Sequence, residues 1–85
     1  MLIMPQENIN EPVEVRVDFC GLRVLPRSMA WNGRVYDIRT MHSVHSINEG
    51  STKRFFFSVS DNTNFFKLSF NTDTLEWRLI EMFAE

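Results

Sequence analysis

His42 and His45, three residues apart and interleaved with Ser43 and Ser46, are the first residues whose types could do chemistry. On a helix that spacing sets both imidazoles on one face, where they could hold a metal. On a regular strand it sends them to opposite faces. No third ligand lies nearby in the chain, so no metal site is expected. A Ser/His nucleophile has the residue types here but neither an elbow motif nor a recognisable Asp partner. The three glycines are isolated, which leaves no phosphate-cradling loop, and paired carboxylates are missing from the strand interiors. Cys20 is the single cysteine, so an internal disulfide and a cysteine zinc site are both excluded. With no local basic group to activate it, Cys20 is expected as a small buried side chain at a strand end. The chain therefore reads as a non-enzyme, with no catalytic residue, cofactor or metal.

Binding chemistry is better represented. Phe56, Phe65, Lys67 and Arg78 fall on what should be the outer face of a hairpin pair. Aromatic rings beside cations suit base stacking combined with phosphate contact. The alternative is that the rings are covered by the N-terminal strands while Lys67 and Arg78 reach to water. A second candidate is the stretch from Arg16 to Arg39, whose five arginines against Asp18 and Asp37 leave a local balance of +3. Trp31, Arg34, Tyr36 and Arg39 lie in it, and basic residues interleaved with aromatics can engage a nucleic acid. The bland reading is a solvated edge with Trp31 in the core.

The elements that must position these residues are strands. From Lys53 to Phe83, apolar residues alternate in three runs bounded by Asp61–Asn64 and Asn71–Thr74. Pairing Ser60 with Phe65 sets Val59 against Phe66, Phe57 against Leu68 and Phe55 against Phe70. Pairing Phe70 with Leu75 sets Leu68 against Trp77 and Phe66 against Leu79, and brings Lys67 beside Arg78. A one-residue slip would turn every apolar set outward, so the register is strongly specified. Upstream, Val13, Val15, Val17 and Phe19 alternate with Glu14, Arg16 and Asp18. Asn32-Gly33 is a strong hairpin signal that sets Trp31 opposite Arg34 and Met29 opposite Tyr36. Met41, Val44 and Ile47 recur every three residues, which suits a strand bent by a bulge in this β-prone segment.

The pattern of Pro26, Trp31, Gly33, Arg34 and Tyr36 (PRSMAWNGRVY), followed by FFFSVS and LEWRL with Trp77, resembles a small uncharacterised bacterial all-β domain family. That family's pattern is Pro, a spacer, then Trp-x-Gly-Arg-x-Tyr. The resemblance brings no activity with it; it implies a DNA-repair setting for some members, which the residues themselves do not show.

Eighty-five residues allow one small domain, with eleven aromatics to enlarge a modest core. A formal charge of −2 gives no general attraction to nucleic acid or anionic membrane. Residues 1–11 are expected as a flexible arm and 12–85 as a single all-β domain of five to seven strands. Its form should be a small, strongly bent antiparallel sheet or a partly open SH3-like barrel. The expected role is a small β binding module engaging a protein partner or itself, in the cytoplasm and off the membrane. A nucleic-acid-binding barrel using a basic-aromatic face is the alternative.

Overall fold

The computed structural model describes Glu7 to Ala84, and the chain forms seven strands with no helix among these residues. They are β1 (Glu7–Cys20), β2 (Arg23–Trp31), β3 (Arg34–Asp37), β4 (Thr40–Glu49), β5 (Thr52–Ser60), β6 (Asn64–Asn71) and β7 (Trp77–Ala84). All pair antiparallel in one sheet of order β3-β2-β1-β7-β6-β5-β4, so β3 and β4 stand at its two edges. The sheet is open and strongly bent, and its strand number is the upper end of the sequence expectation.

The β5–β6 ladder has the register that the alternation dictates, with Val59 opposite Phe66, Phe57 opposite Leu68 and Phe55 opposite Phe70. The β2–β3 hairpin likewise pairs Trp31 with Arg34 and Met29 with Tyr36. Asn32 and Gly33 both have positive φ, 56° and 78°, the geometry of a tight turn matched to the strands' twist. β4 is a strand bent at His42, where the ladder to β5 skips from Met41 to Ser43.

The β6–β7 register differs from expectation by two residues. Phe70 meets Trp77 rather than Leu75, and Leu68 meets Leu79. Leu75 belongs to the turn, at φ 63° and well exposed, because the Asn71 side chain caps that turn by accepting from the Asp73 and Thr74 amides. An even shift preserves the faces, so the core survives the error. A bulge at Ile80 then sets Lys67 opposite Glu81, while Arg78 stands opposite Ser69. The two cations are not neighbours in one cross-strand row.

The N-terminal boundary also moves. Glu7 to Val13 pair with β7, and Glu14 to Cys20 pair with β2, so β1 hands over from one neighbour to the other within a single strand. The expected arm thus gives way to sheet from Glu7, and its first six residues lie outside the described part. Asn10, at φ 52°, takes up the irregularity between Asn8 and Glu11. Cys20 is exposed, not buried: it and Phe19 sit at the β1–β2 tip, beyond the reach of the core.

The core is Met29, Tyr36, Phe57, Val59, Phe66, Leu68, Trp77 and Leu79. Tyr36 of β3 meets Phe66 of β6 edge-to-face, with ring centroids 5.3 Å apart. In a flat sheet four strand spacings would hold them about 19 Å apart. The sheet is therefore rolled, and the hairpin from one end packs over the centre of the other. The short link from β3 to β4 fastens the roll: the Ile38 amide donates to the Arg27 carbonyl and the Arg39 amide to the Ser60 carbonyl, each at 2.9 Å.

Candidate functional site

Three surfaces compete. The first is the tip of the β2–β3 hairpin. Tyr36 is only 8% exposed and is committed to Phe66. Trp31 is half-buried against the core, and its indole nitrogen donates to Glu11 Oε1 at 3.2 Å. Arg34 lies over the Tyr36 ring at 5.3 Å, on the solvent side. Arg34 and Arg39 border a polar hollow completed by Asp37 and the Asp61–Asn64 turn. Partial burial works to raise the Asp61 pKa, but the Thr63 and Asn64 amides and the Asn64 side chain outweigh it and hold the carboxyl below its ordinary value. This hollow carries both signs of charge, and its aromatics face the core rather than a ligand.

The second surface is the outer face of β4 to β7. Phe56 and Phe65 are half-buried there, covered by side chains of the same sheet. His45 stacks on Phe56 with centroids 5.4 Å apart, and Lys67 Nζ sits 5.2 Å from the Phe56 centroid. His42 lies 5.6 Å from Phe65 and shares a 2.8 Å hydrogen bond with Ser60 Oγ, while Phe83 stacks on Phe65 at 5.6 Å. The bulge at His42 is what brings both histidines to one face despite their three-residue spacing. Their spacing on a regular strand predicts the opposite; the signal lay in Met41 and Val44, whose spacing of three on one face requires an extra residue, whereas Ile47, with no bulge after Val44, falls on the other face. Arg78 is engaged elsewhere: it donates to Asn10 Oδ1 at 2.9 Å, to the Asn10 carbonyl at 2.6 Å and to Glu76 at 3.3 Å. It anchors the irregular part of β1. Of the four residues proposed for this face, Phe56, Phe65 and Lys67 come together, whereas Arg78 does not join them. Glu81, directly across from Lys67, opposes phosphate binding here.

The third surface is the edge formed by β4. β3, at the other edge, is four residues long and bears Arg34 and Asp37, which blunt it against pairing. β4 is ten residues long, contains no Pro, Lys or Arg, and among the described residues pairs on one side only, with β5. Near its start it is abutted by Leu25, Pro26 and Arg27 of β2 across a small hollow. Beyond that point the seam between β2 and β4 widens into an apolar groove of about 200 Å³. Leu22 and Val24 form one wall, Met41 and Val44 the other, and Phe55 and Phe57 the floor, with Arg23 at the rim. Leu22 is fully exposed, and Val44 is 47% exposed. Leu22, Val44 and Phe55 are read from sequence alone as ordinary strand residues; only the rolling of the sheet brings them together.

Among the described residues no three His, Cys, Asp or Glu side chains gather as a metal site, and no helix is long and apolar enough to cross a membrane. No protein-family model matches this chain, and neither the curated proteins nor the solved structures contain a match.

Proposed function

We propose that this protein is a non-enzymatic binding module that engages a protein partner by adding a strand to β4. The carrying observation is the side of β4 from Ser43 to Glu49 that no described residue pairs, and that borders the apolar groove at Val44. An unpaired strand supplies main-chain donors and acceptors, which give affinity without sequence demands. The groove supplies specificity by receiving alternate side chains of the incoming segment. A reducing cytoplasmic setting, in keeping with a single exposed thiol, belongs to the same proposal.

The nucleic-acid alternative draws on one observation, the Lys67 ammonium above Phe56 with Phe65 alongside on the same face. It is the weaker reading because Arg78 is tied to Asn10 and Glu76, and Glu81 faces Lys67.

Peptides selected from a random display library against the whole chain test the proposal. The expected result is that bound peptides shift the backbone resonances of residues 43–49. A selected set that shifts only the Phe56, Phe65 and Lys67 face would overturn the site. A short single-stranded oligonucleotide run beside them separates the two readings, since phosphate binding falls steeply with salt.

A further inference from the structure

The charges around the groove narrow the partner's chemistry. Arg23 lines the rim on the β2 side. Lys53 stands beyond the floor, opposite Asn48 of β4: its ammonium lies 5.6 Å from the centroid of Phe55, which floors the groove. Neither cation has a carboxylate within ion-pair distance among the described residues, whereas Arg27, Arg54 and Arg78 each have one. The nearby acid, Glu49, is already paired with Arg54 at 3.3 Å. The groove is thus an apolar slot with two cations at its margins that form no ion pair among the described residues, on a chain whose net charge is negative.

Resting on the strand-addition reading, we propose that the occupant is an extended segment of a partner protein whose groove-facing side chains are apolar at the centre and acidic at both ends. Its apolar side chains enter the slot beside Val44, and its carboxylates meet Arg23 and Lys53. The groove-facing positions follow from the pleat: on a strand laid along β4, every second side chain points to the concave side, where Lys53 and Phe55 lie two residues apart on β5, and the rest point away. Acidic residues at the two ends of that groove-facing row complement the two cations and also keep the free segment soluble. This assigns a role to part of the Arg16–Arg39 excess of positive charge, which neither the core nor the outer face uses.

The test uses three fluorescein-labelled seven-residue probes binding to the full chain, each with Val at positions 3 and 5 and Ser at the even positions: the Val/Glu probe carries Glu at both ends, the Val/Lys probe Lys and the Val/Ser probe Ser. The Val/Glu probe is expected to bind roughly tenfold more tightly than the Val/Lys probe, the sum of two exposed ion pairs exchanged for repulsions. Arg23→Glu together with Lys53→Glu is expected to reverse that order. Both residues are exposed, so the variant retains its fold, which circular dichroism checks. Equal affinity for all three probes, with amide protection on β4, would overturn the acidic preference and leave strand addition standing. Probe binding that leaves β4 unprotected, or no binding by any probe, would overturn both. A second copy of the chain occupying the edge, seen as concentration-dependent dimerisation that the Val/Glu probe cannot displace, would also overturn the proposed partner.

Discussion

The rolled sheet rests on Tyr36 reaching Phe66, and a double-mutant cycle on that pair tests it. Truncation to alanine is the wrong perturbation. It costs about 3–5 kcal/mol at a buried ring, against a total of roughly 4–13 kcal/mol for a domain of this length. Leucine at either position keeps most of the burial and removes the ring, so Tyr36→Leu and Phe66→Leu should each leave a folded protein. Centroids 5.3 Å apart with planes at 64° form an edge-to-face pair. Such pairs are worth about 0.5–1.5 kcal/mol beyond their buried area. The expected coupling from urea unfolding, followed by Trp fluorescence with equal m-values across the four proteins, is about 1 kcal/mol. Residues on strands of a flat sheet, about 19 Å apart, would be additive to within about 0.3–0.5 kcal/mol. Coupling inside that band would refute the roll, and with it the groove between β2 and β4.

Two further outcomes follow from turns. Asp61 is held below its ordinary value of 3.8, so it stabilises the fold above that pH and loses its contribution as pH falls through the lower, folded value. Asp61→Asn keeps an acceptor for the Thr63 and Asn64 amides but removes the charge. It is expected to cost about 1 kcal/mol at neutral pH and to flatten the loss of stability below about pH 4, read by chemical denaturation at several pH values. Leu75 holds a left-handed conformation at φ 63° while largely exposed, so Leu75→Asn should raise stability by about 0.5–1 kcal/mol in thermal unfolding.

What the chain reveals on reading, and what it conceals, divides along a physical line. The β5–β6 and β2–β3 ladders follow from local alternation and from Asn32-Gly33, and both have the expected pairs. Leu75 misled because an apolar residue after a polar run looks like a strand's first inward position, yet the Asn71 side chain extends the turn through it. The start of β1 was hidden because Glu7 to Pro12 has no alternation; its pairing with β7 depends on Asn10 and Arg78, sixty-eight residues apart. Tyr36, read as a candidate binding residue, is drawn into the core by the roll. The groove was illegible for the same reason, since Leu22 and Val44 meet only when the sheet curls. Phe56, Phe65 and Lys67, by contrast, share the outer face that their alternation assigns.

Amide exchange along β4 tests the central claim most directly. In the free chain, those amides between Ser43 and Glu49 that point away from β5 should exchange as fast as turn amides. On titration with an extended peptide they should become protected, while β3 stays unchanged. Peptide binding with no gain of protection on β4, or full protection there in the free monomer, would contradict strand addition at this edge.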